Sequence, residues 1–102
     1  MNYNIPTDVL HELTSFFRKF DFIDKVEIFG SRARGDHSPK SDIDLCIYSK
    51  SMSKETFKLL QLELFELPIL YHIDSVHFER SSQTLQKNIL AEGISILSQE
   101  AN

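Results

Sequence analysis

The stretch that decides the fold is Gly30–Leu45, which reads GSRARGDHSPKSDIDL. It joins two segments with the composition of β-strands, Lys25–Phe29 and Asp42–Tyr48. The first is rich in β-forming residues and ends at a glycine, and the second alternates apolar with polar side chains. We therefore expect a polar loop, with a short helix at its start, between two strands.

Three longer segments have the apolar periodicity of amphipathic helices: Thr7–Phe20, Lys54–Leu67 and Ser82–Glu92. Further strands are predicted at Tyr71–Phe78 and, as a short final strand, at Ile94–Leu97. Helices and strands thus alternate along the chain. This order favours an α+β fold in which helices pack against a small β-sheet.

Composition limits the possible classes of protein. The 102 residues fit a single domain spanning 1–102, and 41% hydrophobic with 25% charged residues is typical of a soluble globular chain. No apolar run approaches the roughly 18 to 20 residues of a membrane-spanning helix. Cys46 is the only cysteine, which excludes an internal disulfide and a cysteine-based zinc cluster, so a cytoplasmic setting is expected.

The charge balance bears on possible substrates. Eleven basic residues face fifteen acidic ones, which gives a formal net charge of −4. This balance argues against a broad basic face that holds a long nucleic acid. It leaves nucleotide chemistry open, because a metal ion can bridge acidic side chains to phosphates.

Asp42 and Asp44 are the first candidate site residues. Carboxylates two residues apart on a strand point to the same face, with Cα atoms roughly 6.6 Å apart at about 3.3 Å of rise per residue. That spacing lets both side chains reach a pair of metal ions, and carboxylate oxygens suit Mg²⁺. The alternative is an exposed face of an edge strand.

The residues before this pair suggest a phosphate site. Gly30 follows a strand directly and lets a ligand approach the backbone, and Ser31 adds a hydroxyl donor. Arg32 and Arg34 add two cations nearby. The alternatives are a simple strand-ending turn for Gly30 and Ser31, and surface solubility or a loop-fixing salt bridge for the two arginines.

Three short motifs together match, in order and spacing, the signature of a known superfamily. They are Gly30-Ser31, Ala33-Arg34-Gly35 and Ser41-Asp42-Ile43-Asp44. The chain resembles the minimal nucleotidyltransferase (MNT) domains of the DNA polymerase β-type nucleotidyltransferases. The likeness extends to the third strand, His72–Val76, and to the tail Asn88–Ile94. It implies the polymerase β-like fold with a small mixed sheet.

The resemblance also implies roles for individual residues. Asp74 would be the third metal ligand beside Asp42 and Asp44, in a two-metal Mg²⁺ site that activates the attacking hydroxyl. Gly30, Ser31 and Ser41, with Arg32 or Arg34, would bind the triphosphate of ATP. The implied reaction moves a nucleoside monophosphate to a hydroxyl and releases pyrophosphate.

The acceptor is implied by a further resemblance, which the small size of the chain and its three candidate metal-binding aspartates motivate. It looks like the short antitoxins that pair with HEPN-type ribonuclease toxins, bind them as hetero-oligomers and AMPylate a tyrosine hydroxyl. One alternative is a nucleotidyltransferase for a small hydroxyl compound such as an aminoglycoside. Another is a noncatalytic antitoxin that neutralises its partner by contact alone.

The histidines and the cysteine are weaker candidates. His72 and His77 fall on opposite sides of the third predicted strand, so they do not form a paired metal site. His37 lies in the loop near the motif, where a surface position is the simpler interpretation. Cys46 is interpreted as a packing residue.

Overall fold

The computed structural model describes residues 4–100. In chain order its elements are α1 (Thr7–Phe17), β1 (Lys25–Phe29), α2 (Ser31–Arg34), β2 (Ile43–Tyr48), α3 (Lys54–Phe65), β3 (Ile73–His77), a 3₁₀ turn (Phe78–Arg80), α4 (Gln83–Glu92) and β4 (Ile94–Ser98). The predicted single domain includes residues 1–3 and 101–102, which lie outside the described residues. Within residues 4–100, each helix is too short or too polar to cross a lipid bilayer.

The four strands form one mixed sheet in the order β3-β2-β1-β4. β1 pairs antiparallel with both β2 and β4, and β2 pairs parallel with β3. A parallel pair needs a crossover connection, which α3 supplies. The predicted α+β fold with a small mixed sheet is confirmed, and β3 lies at one edge of that sheet.

The two faces of the sheet carry hydrophobic clusters of different size. The larger cluster lies between the sheet and the inward sides of α1 and α3, and includes Leu13, Phe17, Leu45 and Leu60. The smaller cluster contains Cys46, Tyr48 and Ile89, and forms where α4 covers the opposite face. Because side chains alternate along a strand, the even-numbered residues of β2 share this α4 face.

Two helices end earlier than the periodicity predicts. α1 ends at Phe17 and α3 at Phe65, three and two residues short of the predicted Phe20 and Leu67. After each helix, backbone amides donate to carbonyls three residues back, as in Phe20 to Phe17 at 3.1 Å and Leu67 to Leu64 at 3.2 Å. These tighter turns keep the apolar residues near the core while the α-helical hydrogen bonds stop.

The third strand is also shorter than its predicted range of Tyr71–Phe78. It spans Ile73–His77, and Phe78 already belongs to the following 3₁₀ turn. His72 still contributes to the sheet, because its carbonyl accepts a hydrogen bond of 2.9 Å from the amide of Ile43. This bond extends the β2–β3 pairing towards the polar loop.

Candidate active site

The pairing of β2 with β3 brings the three predicted carboxylates to one corner of the sheet. In the parallel register Asp44 lies opposite Asp74, and Ile43 opposite Ile73. Continuing the register by one residue places Asp42 beside His72, and the Nδ1 of His72 lies 3.3 Å from Asp42 Oδ2. All three carboxylates therefore lie on the α4 face of the sheet.

His72 is a site residue that the sequence interpretation missed. Its Nδ1 lies 3.9 Å from Asp74 Oδ1, and ligand atoms of Asp42, His72 and Asp74 all lie within 4.8 Å of one another. The missed signal is the two-residue spacing between His72 and Asp74, the same alternation that singled out Asp42 and Asp44. His72 shares a side of the strand with Asp74, and His77 lies on the other side.

The carboxylate corner is electrostatically unbalanced. Within residues 4–100 none of these three aspartates forms an ion pair with a lysine or arginine. Burial raises the pKa of Asp44, and the negative charges of Asp74 and Asp42 raise it further. The charge of Arg34 lowers the pKa of Asp44 only in part, because no lysine or arginine of residues 4–100 contacts the cluster directly. Such a set of oxygen donors fits a hard divalent ion such as Mg²⁺, with Asp42, Asp44 and Asp74 as its candidate ligands.

Gly30 leaves the space that the Asp44 carboxylate occupies. Its φ of +75° lies in the region that favours glycine, and a Cβ placed there would lie 2.5 Å from Asp44 Oδ2. Phe29, the preceding residue, pairs with Asp44 in the antiparallel register. Gly30 therefore both ends β1 and allows the carboxylate to lie against the backbone of the loop.

The amide of Gly30 is already hydrogen bonded within the chain. It donates to Glu92 Oε1 at 2.9 Å, and Glu92 also pairs with Arg34 at 3.2 Å. Glu92 is the last residue of α4, so it ties the end of that helix to the start of the loop. Its role was missed, because a separation of 62 residues leaves no local pattern in the sequence.

Arg34 is the predicted phosphate-binding cation that remains accessible. Its side chain is 47% exposed and pairs with Asp36 at 3.0 Å as well as with Glu92. The hydrogen bonds to Asp36 and then Glu92 raise the pKa of Arg34. Ser31, the first residue of α2, is half-buried and lies between Gly30 and this arginine.

Arg32 does not fit the predicted contact with the triphosphate. Only 3% of this residue is exposed, and its guanidinium donates to the carbonyls of Asn4, Pro39 and Ser41 at 2.8 to 3.3 Å. It also lies 5.0 Å from the centre of the Tyr71 ring. Arg32 therefore fixes the loop, as in the alternative to phosphate binding, although it does so through backbone carbonyls and not through a salt bridge.

Ser41 is also used inside the loop. Its hydroxyl accepts a hydrogen bond of 2.9 Å from the amide of Ser38, while its carbonyl accepts from Arg32. These contacts close the loop immediately before Asp42.

Cys46 is buried, and its pKa rises to about 12 chiefly through burial, so it stays a neutral packing residue.

We expect Gly30→Ala to damage the site and Gly35→Ala to spare it. Both glycines have positive φ, so each alanine meets backbone strain: roughly 1–2 kcal/mol at Gly35, which is left-handed helical, and about 1–3 kcal/mol at Gly30, whose φ of +75° and ψ of −154° only glycine adopts readily. A Cβ at Gly35 would lie 4.0 Å from Nδ2 of Asn4, which is ordinary contact, whereas a Cβ at Gly30 would collide with the Asp44 carboxylate. Urea unfolding with and without Mg²⁺ measures both effects: Gly30→Ala should lose more stability than Gly35→Ala and lose stabilisation by Mg²⁺. Equal losses would contradict this packing.

Asp44→Asn should raise the melting temperature of the metal-free protein at neutral pH. The raised pKa of Asp44 means that its ionised form disfavours folding, so this cost is absent below the ordinary pKa and grows as pH rises through the raised one. We expect a higher melting temperature at pH 7 than in the wild type, because the amide cannot ionise. Calorimetry at pH 7 and pH 3 checks this, and a gain of equal size at both would contradict it.

Comparison with known proteins is consistent with this geometry. The family model described as Polymerase beta, Nucleotidyltransferase matches residues 11–102. A search of curated proteins finds no significant match.

Similar folds occur among solved structures. A toxin–antitoxin complex with AMP-PNP matches with a TM-score of 0.73 at 18% identity, over 87% of this chain and 73% of that one. A putative nucleotidyltransferase from Sulfolobus solfataricus gives 0.61 at 20% identity, over 89% and 78%. The Shewanella oneidensis complex of a tri-AMPylated HEPN toxin with an MNT antitoxin gives 0.59 at 16% identity, over 87% and 69%. At these identities the likeness establishes the fold.

Proposed function

The chain belongs to the polymerase β nucleotidyltransferase family, and we propose that it transfers AMP from ATP to a tyrosine hydroxyl of a partner protein. The observation that carries this proposal is the register of β2 and β3, which gathers Asp42, Asp44 and Asp74 at one corner. Three carboxylates that form no ion pair with a lysine or arginine of residues 4–100, beside a loop opened by Gly30, suit a metal-bound triphosphate.

Each residue has a definite task in this reaction. Asp42, Asp44 and Asp74 would hold the divalent cations, which would neutralise the triphosphate and lower the pKa of the acceptor hydroxyl. Asp74 orients that hydroxyl and takes its proton. The hydroxyl oxygen forms a bond to the α-phosphorus while the bond to the β-phosphate oxygen breaks, and pyrophosphate leaves with the bonding electrons. Arg34 and Ser31 bind the phosphates beside Gly30.

The proposed partner is a HEPN-type toxin, for which this chain is the antitoxin acting in the cytoplasm. The support comes from similar structures: one is a toxin–antitoxin complex with AMP-PNP, and another contains a tri-AMPylated HEPN toxin bound to its MNT antitoxin. A protein acceptor also suits the exposure of the corner, where the side chains of Asp42 and Asp74 are 49% and 56% exposed.

A transfer assay tests the reaction and its acceptor. Wild-type chain is incubated with Mg²⁺, ATP labelled at the α-phosphate and the purified protein encoded by the neighbouring gene, and labelled residues are identified by mass spectrometry. We expect label on tyrosine, and a fall of about 100-fold or more in Asp42→Asn and Asp74→Asn, because each removes charge stabilisation. Asp21→Asn, in the exposed turn after α1, is the matched control.

Two results would contradict the proposal. Label on an aminoglycoside and none on the neighbour would indicate a small-molecule enzyme. Full neutralisation of toxicity by Asp42→Asn in cells would indicate an antitoxin that works by contact alone.

A further inference from the structure

A groove runs along the exposed edge of the sheet, between α3 and β3. Two cavities of about 330 Å³ and 510 Å³ form it, and Gln61 and Ser75 line both of them. The side-chain amide of Gln61 donates to the carbonyl and hydroxyl of Ser75 at 3.2 and 3.1 Å, so the two cavities meet at this bridge. We call the whole surface the α3–β3 groove.

One end of the groove reaches the candidate active site. His72 and Asp74 line this end, together with the apolar side chains of Leu64, Phe65, Leu67, Ile69, Tyr71 and Ile73. Phe65 is 84% exposed although it is a large aromatic residue. From Leu59 to Glu79 the chain contains acidic residues but neither lysine nor arginine. This end therefore offers apolar contacts along the edge strand that carries Asp74, whose carboxylate lies on the α4 face of that strand.

The opposite end carries unpaired positive charge. Lys54, Lys58 and Arg80 line it, and within residues 4–100 none of them forms an ion pair. His77, which is 4% exposed, also lines this cavity. Its Nε2 donates to the carbonyl of Ser49 at 2.7 Å, while its buried Nδ1 has no hydrogen-bond partner in the described structure.

These features define a polarised docking surface. The three cations at one end complement carboxylates, and the apolar walls complement aliphatic or aromatic side chains. A nucleic acid fits poorly, since its phosphates would meet Asp74 and the exposed Phe65 at the other end. The twelve residues of α3 make the groove roughly 18 Å long at about 1.5 Å per residue.

We propose that the α3–β3 groove binds an acidic, apolar segment of the acceptor protein and so presents its hydroxyl to Asp74. The acidic side chains of that segment contact Lys54, Lys58 and Arg80, and its apolar side chains pack on Phe65. This inference rests on the proposed function and assigns the acceptor side of the same site.

The test combines a charge-reversal variant with an apolar one. In Lys54→Glu/Lys58→Glu, two exposed cations become acidic, and Phe65→Ala removes the exposed ring. Calorimetric titration measures binding to the purified neighbouring-gene protein, and steady-state labelling at increasing concentrations of that protein measures its KM and kcat. We expect Kd and KM to rise about 10-fold or more in each variant, with kcat at saturation and ATP binding unchanged. Lys87→Glu, exposed on α4 outside the groove, is the matched charge control.

The outcomes separate this inference from the proposed function. Binding and labelling unchanged in the variants would overturn the groove and leave the transferase intact. If the wild-type chain binds the neighbouring-gene protein but does not label it, and the groove variants lose that binding, the proposed transfer reaction would be wrong and the proposed docking groove would stand. Absence of both binding and labelling in wild type would overturn both. The docking proposal would also be wrong if Lys54→Glu/Lys58→Glu still bound the neighbouring-gene protein but lost binding to RNA.

Discussion

The parallel pairing of β2 with β3 is the constraint on which the site depends. It sets Asp44 opposite Asp74 and brings His72 next to Asp42. Burial of the Asp44 carboxyl, and then the negative charges of Asp74 and Asp42, raise its pKa, so its ionised form opposes folding. The hydrophobic cluster under α1 and α3 must therefore offset this cost.

The loop between β1 and β2 is held by contacts that are separate from the carboxylates. The buried guanidinium of Arg32 donates hydrogen bonds to three backbone carbonyls. The amide of Gly30 donates to Glu92, the last residue of α4. Such internal bonds order the loop before any ligand arrives. The position of Gly30 against Asp44 then follows from the β1–β2 register rather than from substrate binding.

Local patterns in the sequence were sufficient for the elements and for part of the site. Alternation along β2 correctly placed Asp42 and Asp44 on one face, and the family signature indicated the polymerase β-like fold. Such local patterns could not predict which distant segments pair with one another. The adjacency of Asp42 and His72, and the link from Glu92 to Gly30, depend on which strands and helix ends meet in space.

Arg32 and Arg34 show why residue type alone did not assign roles. The two arginines are separated by one residue, yet Arg32 is 3% exposed and Arg34 has a side chain 47% exposed. In a single turn of helix, one side chain faces the folded loop and the other faces solvent near the carboxylates. Only the packing of the loop distinguishes a structural cation from a candidate phosphate ligand.

The central claim is that the carboxylates of β2 and β3 bind a divalent cation that accompanies a triphosphate. Anomalous diffraction from crystals grown with Mn²⁺ and a non-hydrolysable ATP analogue tests it most directly. The account predicts Mn²⁺ within roughly 2.2 Å of oxygens of Asp42 and Asp44, with the phosphates beside Gly30 and Ser31. Nucleotide bound elsewhere, or bound here with no Mn²⁺ on these carboxylates, would contradict it.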